Sequence, residues 1–206
     1  MITATQMLKS MTDNTRPTRA EATDVANAIL DGTDAVMLSE ETAIGKYPVE
    51  TVHMMATIAT TTEKNRSENR VPCTLRDEIV RTGNHENLSV ADVISLNVLE
   101  AHTILKPKYI LVTTASGNTA RRISRFKPNC WILAFSRNLD TCRLLPFSYG
   151  VYSFHLQNPE KSWHDRILRF IQESNLVESG DMVILTQRRF AQEYGGTDSL
   201  GVIRID

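Results

Sequence analysis

The chain has 206 residues, of which 41% are hydrophobic and 23% charged, a balance typical of soluble globular proteins. Its formal net charge of −1 gives no electrostatic reason to expect nucleic acid or an anionic membrane as a partner, and no apolar run approaches the roughly 18 residues of a membrane-spanning helix. The N-terminus shows no secretory signal, and three widely spaced cysteines (Cys73, Cys130 and Cys142) are typical of reduced thiols in a cytoplasmic protein.

The predicted elements of residues 1–66 alternate between strand and helix. Ile2–Thr5 is short and β-branched, as expected of a strand. Thr18–Glu21 has the pattern of a capping box, and Gly32 is placed to end the helix that follows in a left-handed conformation. Asp34–Leu38 is apolar enough to be a strand buried on both faces, and Pro48 opens another helix at its first position. This order predicts a βαβα unit with a right-handed crossover.

Residues 67–88 lose this pattern and carry the breakers Pro72, Gly83 and Asn84. We therefore predict an inter-domain connection there, with one short helical turn near Leu75–Val80.

Strands and helices alternate again over residues 89–206. Ser89 is placed to cap a first helix that ends near Lys106. The predicted strands are Tyr109–Thr113, Trp131–Phe135, Val151–His155, Met182–Thr186 and Leu200–Ile205, and the helices between the first four are Thr119–Phe126, Leu139–Leu145 and Glu160–Val177. This alternation predicts an α/β fold, a three-layer αβα domain with a mostly parallel sheet between two helix layers.

Two segments of the first domain resemble the end of the catalytic barrel of pyruvate kinases: ITATQMLKSM at 2–11 and RPTRAEATDVANAILDGTDAVMLSEETAIGKYP at 16–48. The resemblance implies that residues 1–66 are a partial (β/α)8 barrel, strands seven and eight with their helices. It also implies that residues 89–206 are the C-terminal effector-binding and assembly domain of that family, and that the remaining barrel strands precede Met1.

The function that the resemblance implies is glycolytic phosphoryl transfer from phosphoenolpyruvate to ADP, giving pyruvate and ATP. It further implies a cytoplasmic homotetramer that uses Mg²⁺ and K⁺, with ligands for these ions outside this chain. A non-catalytic module that binds an effector or assists assembly, derived from the same family, is the alternative function.

Residues at the carboxyl ends of barrel strands face the active site, a rule that selects Thr5 and the run Ser39–Thr42. In pyruvate kinases these strand ends carry Thr-Gln-Met and Ser-Gly-Glu-Thr. The resemblance therefore implies that Thr5 lies beside the transferring phosphoryl group, and that Ser39 and Glu41 belong to a polar network implicated in proton relay. Glu40 replaces a small residue of the family. From the residues alone, these side chains could equally satisfy strand-end backbone groups.

The charged groups on which phosphoryl transfer relies are expected outside this chain. The resemblance places the family's arginine, lysine and acidic magnesium ligands on barrel strands one to six. Glu40 and Glu41 cannot both face one metal from an extended segment, and two strands cannot close an eight-stranded barrel. The five histidines share no ligand spacing, so no metal site is predicted here. We expect the chain alone not to be a kinase.

A second candidate site is the loop between the strand Tyr109–Thr113 and the helix after it, where helix-terminal amides and hydroxyls favour an anion. An ordinary strand-to-helix turn is the alternative. In pyruvate kinases this loop reads Thr-Glu-Ser-Gly-Arg/Lys-Thr/Ser and holds a phosphate of an allosteric effector. The positions that the resemblance assigns to phosphate binding are Thr114, Ser116, Gly117, Asn118 and Thr119, with Ala115 and Asn118 in place of the acid and the base.

Positive charge for this loop could come instead from four other arginines: Arg121, Arg122, Arg188 and Arg189. Trp163 matches a tryptophan near the effector pocket of some members. Its helical spacing with Ile167, Phe170 and Ile171 favours a core position instead.

Overall fold

The protein is described from a computed structural model, which covers residues 1–4, 6–65, 89–157, 162–187 and 197–206. The chain forms two compact units, Met1–Arg70 and Val71–Asp206. Thr5, the predicted connection with its turn near Leu75–Val80, and both Arg188 and Arg189 lie outside the described residues.

The first unit holds two short parallel strands packed with helices. In chain order its elements are β1 (Ile2–Thr3), a 3-10 helix (Lys9–Thr12), α1 (Arg19–Leu30), β2 (Ala35–Val36), α2 (Glu40–Ala43) and α3 (Pro48–Lys64). β1 pairs with β2 through Ile2 with Ala35 and Thr3 with Val36. The core of this unit is an apolar cluster formed by Met7, Leu8, Met11, Val25, Ile29 and Met55.

The ends of α1 are the ones predicted from the sequence. The Thr18 hydroxyl accepts the Glu21 N–H at 3.3 Å, and the Glu21 carboxylate accepts the Thr18 N–H at 2.8 Å, which completes the capping box. At the other end, Gly32 has a φ of +88° and donates its N–H to the Ile29 carbonyl. This left-handed residue turns the chain out of the helix and toward β2. Pro48 is the first residue of α3, as predicted.

The strand predicted at Asp34–Leu38 is wrong in length and in burial. Only Ala35–Val36 is strand, both residues are half-buried, and Met37 is 40% exposed. Among the described residues β2 pairs with β1 alone, so one edge of the strand lacks the neighbour that a buried parallel strand receives. The predicted strand Ile2–Thr5 likewise extends only over Ile2–Thr3 within the described residues.

The second unit contains a five-stranded sheet with helices on both faces. Its elements are α4 (Val90–Leu105), β3 (Tyr109–Thr113), α5 (Asn118–Ser124), β4 (Trp131–Ser136), α6 (Leu139–Leu144), a 3-10 turn (Leu145–Phe147), β5 (Val151–His155), α7 (Trp163–Glu173), β6 (Met182–Gln187) and β7 (Ser199–Arg204). The strand order is β5-β4-β3-β6-β7, with every pair parallel except the antiparallel β6 and β7. The predicted three-layer fold with a mostly parallel sheet is confirmed.

Alternate residues of β3 enter opposite halves of the core, as its continuous apolar run predicts. Ile110 and Val112 pack in one cluster with Val98 of α4 and Ile123 of α5. Leu111 packs in a second cluster on the other face, whose helical members include Ile167 and Ile171 of α7. Each face of β3 is therefore sealed by a helix.

Helix α7 is shorter than the predicted Glu160–Val177. It begins after Ser162, whose hydroxyl accepts the Asp165 N–H, and it ends at Glu173. Asn175 adopts a left-handed φ of +53°, which stops the helix before Val177. The expected start near Asn158 lies outside the described residues. In the portion of the chain that the structure describes, no helix is long and apolar enough to cross a membrane.

Candidate functional site

Glu41 joins the two segments that follow β1 and β2. It is 1% exposed, and one carboxylate oxygen accepts the backbone N–H of Leu8 at 3.2 Å. The other oxygen accepts the Ser39 N–H at 2.8 Å and the Ser39 hydroxyl at 3.3 Å. The structure thus brings together two of the three predicted catalytic residues, Ser39 and Glu41, and the third, Thr5, lies outside the described residues.

The hydrogen bonds to Glu41 decide its charge. Burial alone would raise the pKa of this carboxyl, but the backbone N–H groups of Glu41 itself, Ser39 and Leu8, with the Ser39 hydroxyl, lower the pKa below its ordinary value. Glu41 is therefore a carboxylate at neutral pH.

Glu40 and Glu41 point to different surroundings because they lie in the first turn of α2. The extended segment predicted here is wrong: residues Glu40–Ala43 are helical, so consecutive side chains diverge by about 100°. Glu40 forms an exposed ion pair with Lys9 of the 3-10 helix, while Glu41 turns inward. The two carboxylates do not face a common point.

The described residues offer no ligand set for the Mg²⁺ that the resemblance implies. No group of three or more His, Cys, Asp or Glu side chains that could hold a metal ion occurs within the described ranges. Two exposed acids of the first unit are engaged in ion pairs, Glu40 with Lys9 and Asp13 with Lys46.

Two contacts that the sequence did not reveal hold the 3-10 helix in place. The Ser10 N–H donates to the Glu21 carboxylate at 2.7 Å, and the Lys46 N–H donates to the Thr12 carbonyl at 2.8 Å. Gly45 permits the close approach to Thr12, since a Cβ there would lie 3.3 Å from the Thr12 Cα and 2.3 Å from the Glu41 carbonyl oxygen. Both contacts involve backbone donors, which leave no mark in the amino-acid pattern.

The predicted phosphate loop lies where the strand order of the second unit reverses. The chain proceeds from β3 to β4 and β5 on one side, then returns to place β6 on the other side of β3. The carboxyl ends of β3 and β6 therefore lie at a topological switch point, the position at which open α/β sheets bind ligands. The loop follows β3 at this point. Thr197, which precedes β7, has its hydroxyl 2.5 Å from that of Thr119.

The loop is closed by one hydrogen bond within it and one from α6. The Gly117 N–H donates to the Thr114 hydroxyl at 2.8 Å, and the Thr141 hydroxyl donates to the Ala115 carbonyl at 2.8 Å. Gly117 has a φ of +81°, and a Cβ there would lie 2.9 Å from the Leu145 side chain. Only glycine fits this turn without a shift of its neighbours.

Arg121 brings positive charge to the loop. Its guanidinium donates to the Ser116 carbonyl and to the Asn118 side-chain oxygen, each at 2.9 Å. Asn118 therefore orients the guanidinium of Arg121. The hydroxyl of Ser116 belongs to an exposed residue, whereas Thr119 is buried.

Arg122 contacts α4 and its N-cap instead of the loop. It forms an ion pair with Asp92 and donates to the Ser89 hydroxyl at 3.1 Å. Burial would raise the pKa of Asp92, but hydrogen bonds from Ser89 and Arg122 lower it. Of the four arginines proposed from the sequence, the described residues place Arg121 alone at the loop.

Trp163 packs at the margin of the core. It is half-buried against the apolar cluster that contains Ile167 and Ile171, and the Arg137 guanidinium lies 5.3 Å from its ring centroid. The core position favoured by its helical spacing is therefore confirmed in part.

Comparisons with known proteins agree with this arrangement. Residues 1–52 match the family model of the pyruvate kinase barrel domain, and residues 92–203 match that of the pyruvate kinase alpha/beta domain. The chain is 48% identical to the pyruvate kinase of Thermococcus litoralis over 206 residues, which are 100% of this chain and 42% of that protein. It is 42% identical to pyruvate kinase 2 of Synechocystis sp. over 98% of this chain and 33% of that protein.

A solved structure gives the same result. The crystal structure of a pyruvate kinase from Cryptosporidium parvum superposes with a TM-score of 0.82 at 32% identity, covering 100% of this chain and 40% of that one. The chain thus spans well under half the length of the relatives it matches. With a family model matched over more than half of its residues, the chain belongs to the pyruvate kinase family.

Proposed function

We propose that this chain is the C-terminal part of a pyruvate kinase, which transfers phosphate from phosphoenolpyruvate to ADP when the rest of the barrel is present. The observation that supports this most is the junction of Ser39 and Glu41 with the segment after β1, at the carboxyl ends of both strands. Barrel enzymes carry their reacting groups at that end of their strands. Thr5 would lie beside the transferring phosphoryl group, with Ser39 and Glu41 in the polar network behind it.

The chain alone is proposed to be inactive. Phosphoryl transfer needs cations that neutralise the phosphate oxygens, and Lys9, the basic residue next to Leu8 in the chain, is paired with Glu40 at the surface. The preceding barrel strands would supply arginine, lysine and the ligands for Mg²⁺ and K⁺. The complete protein is proposed to be a cytoplasmic homotetramer.

A coupled assay of pyruvate formation tests both statements. The 206-residue chain is compared with a chimera in which the portion of the Thermococcus litoralis pyruvate kinase that precedes the matched region is joined to Met1. We expect turnover from the chimera, and loss of most of it on Thr5→Ala. Turnover by the isolated chain at about a thousandth of typical kinase rates of about 1–100 s⁻¹ would contradict its inactivity. A folded but inactive chimera would contradict the reaction.

We also propose that the loop Thr114–Thr119 binds the phosphate of a small molecule, such as a sugar phosphate or a nucleoside monophosphate. The observation that favours this is Arg121, whose guanidinium is anchored on the loop at the reversal of strand order. Arginine suits phosphate because its planar donors match two oxygens at once. This would also be the function of a non-catalytic module.

Titration calorimetry with fructose bisphosphate, ribose phosphate, glucose phosphate and AMP tests this proposal. We expect heat from at least one ligand at millimolar concentration and its loss in Arg121→Gln. Arg122→Gln is the matched control, because Arg122 is held by Asp92. If no ligand produces heat, the loop is an ordinary turn.

A further inference from the structure

The buried Glu41 carboxylate connects the segments that follow β1 and β2 through hydrogen bonds to both. Its two oxygens accept from one backbone donor after β1, Leu8, and from two donors of Ser39 after β2. Leu8 and Glu41 are 33 residues apart in sequence. The strands β1 and β2 pair through only two residues each. The carboxylate is therefore a main connection between the strand ends.

The segment after β1 needs such a connection. Gln6, two residues before Leu8, has a left-handed φ of +52°, which a residue with a side chain adopts at a cost. A strained turn persists where the surrounding contacts determine it. The bond from the Leu8 N–H to Glu41 is one that fixes the chain directly beyond this turn.

The same carboxylate fixes the direction of the Ser39 hydroxyl. That hydroxyl donates its proton to Glu41, so the lone pairs of the Ser39 oxygen point away from Glu41 and can accept a hydrogen bond. Lys9 and Glu40, the charged neighbours of Leu8 and Glu41 along the chain, pair with each other at the surface. Lys9 is therefore engaged elsewhere, and the donors to Glu41 are those of Leu8 and Ser39.

We propose that Glu41 is a positioning residue, whose carboxylate holds the segments after β1 and β2 at a fixed spacing and orients the Ser39 hydroxyl, without exchanging a proton during turnover. The proposal rests on the proposed function. It departs from the relay role implied by the resemblance. A group that accepts three or more hydrogen bonds and stays ionised is a poor proton carrier at neutral pH, whereas it is well suited to hold donors in place.

Two variants distinguish a positioning role of Glu41 from proton relay. Glu41→Gln keeps the size of the side chain but removes the charge and one acceptor oxygen. Glu40→Gln changes the adjacent, exposed carboxylate and is the matched control. Native-state amide exchange of the whole 206-residue chain is the first measurement. We expect the Leu8 and Ser39 amides to exchange at least about tenfold faster in Glu41→Gln and unchanged in Glu40→Gln. Equal exchange in both variants and wild type would overturn the positioning role.

Kinetics of the chimera are the second measurement. A misplaced site group costs about 10²-fold, so Glu41→Gln should lower kcat by about that factor while KM for phosphoenolpyruvate stays within about threefold. The midpoints of the pH–kcat profile should not move. Loss or displacement of one limb of that profile would overturn the proposal in favour of proton relay. An inactive wild-type chimera would overturn the proposed reaction, and amide exchange would still decide whether Glu41 holds the two segments.

Discussion

The two units of the chain share an alternation of strand and helix but differ in how far their strands form. In the second unit β3 is five residues long, lies between β4 and β6, and is covered by a helix on each face. In the first unit β1 and β2 have two residues each. Parallel strands have no local hydrogen bonds to support them, so their length is set by their neighbours rather than by their own sequence.

The largest expected difference is in independent folding. Residues 89–206 expressed alone should unfold in one cooperative transition with a stability of about 5–15 kcal/mol, because their sheet is covered on both faces. Residues 1–66 alone should show no such transition, since Ile2, Met37, Val49 and Val52 are between 40% and 63% exposed. Circular dichroism with urea measures both.

Native-state amide exchange of the whole chain compares the stability of β2 with that of β3. The amides of Val36–Leu38 should be far less protected than those of Ile110–Val112. Strong and uniform protection of Val36–Leu38 in a monomer would show that the first unit is stable as it stands. Protection that rises with oligomerisation would show that another chain covers β1 and β2.

The sequence predicted the second unit well because its central strands β3, β4 and β6 are continuous apolar runs and its helices have clear ends. Tyr109–Thr113 and Val151–His155 have their predicted bounds. The 3-10 helix Lys9–Thr12 and α2 could not be predicted, since four residues are too few to show a period. Their positions depend on contacts distant in sequence, such as that of Leu8 with Glu41.

The candidate sites could be predicted only as sets of residues. The resemblance implied that Ser39 and Glu41 belong to one network. It could not show that the Ser39 hydroxyl donates to the Glu41 carboxylate, which depends on the geometry of the folded chain. Arg121 and Arg122 are adjacent on one short helix and look equivalent in sequence. The packing of α4 against α5 separates them, because Asp92 takes Arg122 and leaves Arg121 beside the loop.

Truncation of one isoleucine in each unit should give the next largest contrast. Ile132→Ala in β4 removes a fully buried side chain and should lower the free energy of unfolding by about 2–5 kcal/mol. Ile2→Ala in β1, where the side chain is 49% exposed, should cost less than about 1 kcal/mol. Urea midpoints of the whole chain provide the comparison. Equal costs would mean that β1 is buried by a contact between chains.

Acidification should weaken both units through carboxylates that accept hydrogen bonds, among them the buried Glu41 in the first unit and the half-buried Asp92 in the second. The pKa of Glu41 and that of Asp92 are both lowered in the folded chain. Each carboxylate therefore stabilises the fold above its unfolded pKa of about 4, and this contribution is lost as the pH falls through the lower folded pKa. Urea midpoints should fall below about pH 5 in wild type, and the fall should be shallower in Glu41→Gln for the first unit and in Asp92→Asn for the second. An unchanged slope in either variant would contradict the assignment.

The smallest expected effects come from the two capping boxes, which are alike in chemistry and differ in what their helices cover. Thr18→Ala and Ser89→Ala each remove a hydroxyl that accepts a backbone N–H, at a typical cost of about 1 kcal/mol. Ser89 begins α4, which packs on the sheet, and its hydroxyl also accepts from Arg122, so its loss should lower the urea midpoint of the second unit. Thr18→Ala should instead speed amide exchange at the start of α1 alone, because Glu21 remains bound to Ser10. A change in the midpoint of the second unit on Thr18→Ala would show that the two units unfold together.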